Sequence, residues 1–292
     1  MKTNLTSQKT QNNPSIVVSE KEIFIDEATI TNLLAHNISV DRIRTREILA
    51  KAMELKGLSD ADIAYLASLS DPDDLHELYE TARQVKETIY GKRLVLFAPL
   101  YISNLCKNEC LYCAFRAKNK EIHRRALTQQ EIEYETKTLV EQGHKRILLV
   151  SGESYPDEGF SYIIKAIETI YSVKSGNGEI RRVNVNVAPL SVDEFSQLKA
   201  ARIGTYQIFQ ETYHRETYSR VHLGGKKRDY QYRLSAIDRA MQAHIDDVGI
   251  GVLFGLYDWR FEILAMMQHI HHLEQEFGVG PHTISVPRME PA

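Results

Sequence analysis

Tyr101-Ile-Ser-Asn-Leu-Cys106-Lys-Asn-Glu-Cys110-Leu-Tyr-Cys113 closes a β-type run over residues 94–102 and places the chain's three cysteines on one loop. The pattern is Cys-x3-Cys-x2-Cys. An odd number of cysteines within eight residues is the opposite of a disulfide framework spread over a secreted domain. A cubane iron–sulfur cluster ordinarily takes one cysteine per iron, so three thiolates from one loop leave one iron open to a substrate. A structural zinc site would need a fourth Cys or His, and His123 lies ten residues beyond Cys113. Zinc sites usually pair Cys-x2-Cys with a distant second pair, which this sequence does not have.

Outward from that loop, short β-type runs alternate with longer helical ones, the rhythm of βα units around a parallel sheet. Six strands are expected, over 94–102, 146–151, 182–188, 206–210, 248–254 and 283–286. The helices between them have their own start and stop signals. Thr128 with Glu131, and Ser191 with Glu194, fit capping boxes, while Gly143 and Gly204 sit where left-handed C-caps belong. The fold class is therefore α/β, a (β/α) barrel of about six strands, with function expected at the C-terminal strand ends. Ahead of it, residues 21–91 read as a helical extension. Its clearest helix starts at Asp71-Pro72 and presents Leu75, Leu78, Tyr79, Ala82, Val85 and Ile89 on one face. Residues 1–20 are too polar to offset ordering entropy and read as a mobile tail, leaving 92–292 as the barrel core.

Composition narrows the partners. The 292 residues carry a formal net charge of −3 with basic and acidic residues interleaved, which gives no reason to expect nucleic acid or an anionic membrane. No stretch is apolar enough to span a bilayer and the N-terminus lacks a signal-peptide centre, so a cytoplasmic protein is expected.

The loop after a first barrel strand, with aromatic Tyr112 before the last cysteine, resembles the radical S-adenosylmethionine superfamily. Within it, Phe97-Ala-Pro-Leu-Tyr-Ile-Ser-Asn104, Arg181-Arg-Val-Asn-Val-Asn186, Phe209-Gln-Glu-Thr-Tyr-His-Arg215 and Val279-Gly-Pro-His-Thr-Ile-Ser-Val-Pro-Arg288 resemble the tyrosine lyases. These are the HydG type of FeFe-hydrogenase maturation and, at lower specificity, the 2-iminoacetate synthases of the ThiH type. The resemblance implies a 4Fe-4S cluster on Cys106, Cys110 and Cys113 with S-adenosyl-L-methionine on the open iron. An external one-electron donor such as ferredoxin or flavodoxin would reduce it. The resulting deoxyadenosyl radical would take hydrogen from L-tyrosine, whose Cα–Cβ bond then breaks to p-cresol and dehydroglycine. Other hydrogenase maturases are implied as partners.

The same resemblance assigns Ser151-Gly152-Glu153 to the methionine amine, Glu211 and Tyr213 to the ribose and nucleotide, and Gly251 to adenine support. Asn184 and Asn186 point to one face by period-two alternation, a polar stripe where a barrel would otherwise place Val or Leu. His282, Ser285 and Arg288 surround the sixth strand, and the forked guanidinium of Arg288 suits an amino-acid carboxylate. His269, His271 and His272 read as a solvated or packed helix face. Departures from the lyase pattern are Leu105 and Ala114 beside the cysteines, and the absence of any cysteine between Cys113 and Ala292. One cluster and a barrel short of two strands are therefore expected. The competing readings are a radical enzyme acting on another amino acid or metabolite, and a non-catalytic cluster carrier.

Overall fold

A computed structural model describes residues 24–35 and 40–290; the expected tail at 1–20 lies outside the described residues. Helices come first: α1 (Glu27–Ala35), α2 (Arg42–Met53), α3 (Asp60–Leu66) and α4 (Pro72–Tyr90). The Asp71 carboxylate caps α4 by accepting from the backbone N–H groups of Asp73 and Asp74, and Pro72 occupies the position whose N–H would be orphaned anyway. The apolar stripe of α4 is packed, and only partly buried, at its start. Leu75 and Leu78 pack with Ile48, Tyr65 and Leu69, whereas Tyr79 and Ile89 are exposed.

The sheet has six strands: β1 (Ala98–Ser103), β2 (Arg146–Ser151), β3 (Arg182–Asn186), β4 (Tyr206–Gln207), β5 (Val248–Gly251) and β6 (Thr283–Ser285). Their spatial order is their chain order and every pairing is parallel, with Ala98 opposite Ile147, Arg146 opposite Arg182, Val185 opposite Tyr206, Gln207 opposite Gly249 and Gly251 opposite Ser285. Intervening helices are α5 (Gln129–Glu141), α6 (Ser161–Ser172), α7 (Val192–Ala200), α8 (Arg215–Val221), α9 (Tyr230–Leu234), α10 (Ala236–Gln242) and α11 (Trp259–Phe277). This is the expected partial barrel. The first strand is shorter than its apolar run because its ladder to β2 begins at Ala98; Leu94 and Leu96, before it, are exposed.

Alternation along the strands separates two environments. Ile147, Leu149, Val183, Val185, Tyr206, Val248 and Ile250 face the helices and are fully buried in the main core. Arg146, Leu148, Arg182, Asn184 and Gln207 line a cavity of about 840 Å³ instead. Both capping boxes form as expected. Gly143 adopts the expected positive φ, but Gly204 does not; Arg202 takes the left-handed position after α7. Gly204 is a glycine for another reason, since a Cβ there would lie 2.4 Å from Asn184 Oδ1. The helical extension is not detached: Ile25, Ile30 and Ala64 share a core with Tyr213, Phe261, Leu264 and Ala265 of the barrel. Among the described residues no helix is long and apolar enough to cross a membrane.

Candidate active site

The cysteine loop leaves the C-terminal end of β1 and is held by backbone contacts rather than by its thiols. Asn104 ties its two ends together, donating from its side-chain amide to His123 O at 2.8 Å and accepting from Arg125 N at 2.8 Å. The Arg124 guanidinium donates to the carbonyls of Asn104, Phe115, Arg116 and Asn119, four points along the loop. Glu109–Cys110 forms a short antiparallel ribbon with His222–Gly224, and Cys113 N donates to Cys110 O at 3.1 Å. Cys110 is buried, Cys106 and Cys113 partly so. Burial pushes the Cys110 thiol up to about 12 and raises that of Cys113.

No group of three His, Cys, Asp or Glu among the described residues is arranged to hold a single metal ion. A cubane has a different requirement. Each cysteine binds its own iron, so the three sulfurs need to surround a volume rather than converge on a point. The loop offers three thiols, two of them partly accessible, as the donor set for such a group. Phe115 N also donates to Cys113 Sγ at 3.4 Å, the kind of contact that tunes a cluster thiolate.

Past β2, Gly152 lies against the start of this loop. Its N–H donates to Ser103 O at 2.8 Å, Ser154 N donates to Leu105 O at 3.1 Å, and a Cβ on Gly152 would stand 2.3 Å from Leu105 O. Glycine here lets β2 approach the cysteine loop itself. Glu153, next in sequence, enters a buried network of two carboxylates and two cations. Arg233 Nη1 donates to Glu153 Oε1 at 2.9 Å, Lys227 Nζ to Glu211 Oε1 at 2.7 Å, and Asn108 Nδ2 to Glu153 Oε2 at 2.8 Å. Lys227 is also 3.8 Å from Glu153, and Arg233 3.7 Å from Glu211. Burial alone would raise the Glu153 carboxyl, but Arg233 and Lys227 outweigh it and hold it at about 2.

Glu211 reaches this network in a left-handed conformation, φ 72°, uncommon for a residue with a Cβ. Two fixtures hold it there. Leu253 N donates to Glu211 O at 2.8 Å, and the next two residues are pinned by Glu262 of α11, whose buried carboxylate accepts from the Thr212 hydroxyl and, at 2.8 Å, from Tyr213 N. Tyr213 is a correction to the sequence reading. Its ring is fully buried in the outer core with its hydroxyl 2.8 Å from His269 Nδ1, so it packs the helix layer instead of facing a nucleotide.

Burial raises the Glu262 carboxyl to about 7, against the two hydrogen bonds that lower it. Ionising it therefore costs the folded state, and its contribution to stability falls as pH rises from its ordinary 4.5 towards 7. The Glu262→Gln variant is expected to lose that decline, roughly 3 kcal/mol between about pH 4.5 and pH 7. Urea unfolding of both proteins at those two pH values measures it; parallel pH dependences would contradict the assignment.

The remaining sequence candidates divide by strand end. Tyr112 places its hydroxyl 2.8 Å from His222 Nε2, at the ribbon behind the cysteines. Asn184 lines the cavity and is engaged, accepting from Thr205 N at 3.1 Å and Arg182 Nε at 3.2 Å; Asn186 lies one layer nearer the C-terminal end, opposite Val150. Gly251 permits close packing of strands, since a Cβ would lie 2.4 Å from Ser285 O and 2.8 Å from the Phe209 ring. Ser285 ends β6, and exposed Arg288 lies beyond it, bridged to Phe254. His282 lines the same cavity as Asn184 and Ser285. It precedes β6, at the opposite end of the sheet from the cysteines, 3.6 Å from Asp247 Oδ1.

Lys227, Arg233, Asn108 and Glu262 escaped the sequence reading. Lys227 sits in a Lys-Lys-Arg run that resembles a solvated turn; its one local signal is the Gly224-Gly225 pair before it, where a Cβ on Gly225 would meet Asn108 Oδ1 at 2.2 Å.

Parallel strands in chain order, with a three-thiol loop after the first and charged residues after the second and fourth, define a cluster-bearing (β/α) barrel. The chain belongs to the radical SAM superfamily, which it matches over residues 100–268. Membership brings with it a 4Fe-4S cluster and S-adenosylmethionine. The chain is 32% identical over 249 residues to the 2-iminoacetate synthase of Escherichia coli strain K12, covering 85% of this chain and 64% of that one. Its fold superposes on a crystal structure of HydG, a maturase of the FeFe-hydrogenase, with a TM-score of 0.89 and 49% identity, over 92% of this chain and 59% of that one. For HydG from Carboxydothermus hydrogenoformans the values are 0.83 and 44%, over 94% and 63%. The chain thus spans about three-fifths of the length of these relatives.

Proposed function

We propose that residues 92–292 form the cluster- and nucleotide-binding barrel of a tyrosine lyase, with 21–91 as its helical extension, acting in FeFe-hydrogenase maturation. The observation that carries this reading is the 49% identity to HydG across 92% of the chain. Cys106, Cys110 and Cys113 bind three irons of a single cluster and leave the fourth to the amino acid end of S-adenosylmethionine. Reduced and bound together, cluster and nucleotide supply a 5′-deoxyadenosyl radical able to take hydrogen from L-tyrosine and set off Cα–Cβ cleavage to p-cresol and dehydroglycine.

The chain's own residues bind, orient and enclose. Glu153, held ionised by its two cations, accepts from the methionine amine, and Lys227 with Arg233 balances the charge of the carboxylates around it. Glu211 is directed at the ribose hydroxyls by its fixed backbone. Asn184, Asn186 and Ser285 give the barrel interior its polar lining, and Gly251 leaves room for the adenine. Arg288, without an ion-pair partner among the described residues, takes the tyrosine carboxylate. Holding reactants aligned and dry is the protein's contribution, because a primary carbon radical reacts with whatever lies nearest.

Anaerobic reconstitution followed by reduction tests the reading. About four irons per chain, 5′-deoxyadenosine, and p-cresol only when tyrosine is present are expected. Deoxyadenosine without p-cresol would remove tyrosine as the substrate; neither product, with a full complement of iron, would leave a cluster carrier.

A further inference from the structure

Charge is unevenly distributed over this acidic chain. Residues 106–125, which carry the cysteines, and 220–229, which contain the partner strand of their ribbon, hold ten Lys or Arg against three Asp or Glu, although the whole chain is net −3. Several of these cations have work elsewhere: Lys227 is buried in the carboxylate network, Arg124 holds the loop, and Arg125 pairs with Glu131. Lys107, Lys118, Lys120, Lys226 and Arg228 remain exposed, with no carboxylate partner among the described residues. Of the three acids in these segments, Glu109 is buried and accepts from Lys118 N at 2.9 Å, Asp229 caps α9 by accepting from Tyr232 N at 2.9 Å, and Glu121 is exposed beside Lys120.

The segments that carry them meet at the ribbon. Ala117 N donates to Asn108 O at 2.8 Å, and a Cβ on Gly225 would stand 2.8 Å from Lys107 O, so the segments bearing Lys107, Lys118 and Lys226 meet there. Two apolar side chains accompany them, Leu111 at 53% and Leu223 at 49% exposure, on adjacent strands joined by Leu111 N donating to Val221 O at 3.0 Å. Exposed leucines within a rim of cations have the composition of a transient protein interface selected by charge. Nucleic acid fits less well. Single-strand binding uses exposed aromatic platforms, whereas here the exposed apolar groups are aliphatic.

We propose that this face docks an acidic protein carrying one electron, its carboxylates meeting the five cations and its apolar centre meeting Leu111 and Leu223. The proposal rests on the reading that the loop holds a reducible cluster. One electron passes from the carrier, which is oxidised, to the cluster, which is reduced, and no atoms are exchanged. Placing the docking face on the segments that carry the thiols keeps the path short, while the rest of the acidic surface repels the same carrier.

The experiment uses reconstituted protein, with reduced flavodoxin as the acidic probe and dithionite as a small reductant that needs no docking face. In the parent, flavodoxin-driven reduction is expected to slow as salt is raised. In K118E/K120E and in K226E/R228E the flavodoxin concentration giving half-maximal rate is expected to rise about tenfold or more at low salt, with iron content and dithionite reduction unchanged. Equal flavodoxin kinetics in parent and variants would overturn the proposal while leaving the cluster reading intact. So would salt-sensitive binding of an RNA oligonucleotide that the same variants abolish without any change in flavodoxin kinetics. Failure of dithionite to reduce the parent would remove the cluster reading, and the docking proposal with it.

Discussion

Replacing Cys110 with alanine is expected to abolish iron binding and S-adenosylmethionine cleavage while leaving the apoprotein folded. The first effect follows from ligand count. A cubane held by three thiolates from one loop has no spare ligand, and no other cysteine exists in the sequence to replace the lost one. The second follows from how the loop is built. Its ends are closed by Asn104, its turns are held by Arg124, and its middle is paired with His222–Gly224, all independently of the thiol. Cys110 without iron is a small buried apolar group, and trimming it to alanine is expected to cost about 1 kcal/mol. Iron per chain after anaerobic reconstitution and urea unfolding of the two apoproteins separate these effects. Retention of the full iron complement by Cys110→Ala would remove the three-thiolate reading; loss of folding would show that the thiol, and not the hydrogen-bonded loop, organises the site.

The parts legible in sequence were those whose causes are local. Strand positions followed from alternation, α5 and α7 from capping boxes within four residues, and the cysteine loop from its spacing. What escaped depends on partners far along the chain. Arg233 is defined by Glu153, 80 residues away, and Glu262 by Thr212, 50 residues away. Tyr213 rests on the resemblance alone, and the left-handed backbone at Glu211, which no local signal announces, turns the side chain two residues on to the outer core.

The buried charge network yields the other large effect. Replacing Arg233, 4% exposed, with methionine leaves Glu153 and Glu211 sharing Lys227 alone and frees the Phe209 carbonyl that Arg233 Nε now contacts at 2.7 Å. Removing one partner of a buried ion pair typically costs about 3–5 kcal/mol, because the remaining charge stays desolvated. The pH dependence is expected to change as well. With Glu153 held at about 2 against an ordinary 4.5, the parent has the full contribution of this carboxylate above 4.5 and loses it as pH falls towards 2. Without Arg233 the carboxyl is held down less, so stability at neutral pH drops and the acid slope becomes shallower. Arg233→Met combined with Glu153→Met is the informative companion, since exchanging both members of a buried pair for apolar side chains is often neutral. Urea unfolding of the double variant is expected to recover most of the loss, while equilibrium dialysis of the reconstituted protein is expected to find S-adenosylmethionine binding abolished, because Glu153 is gone. Tight binding by the double variant would reduce the network to a packing device and take Glu153 out of nucleotide recognition.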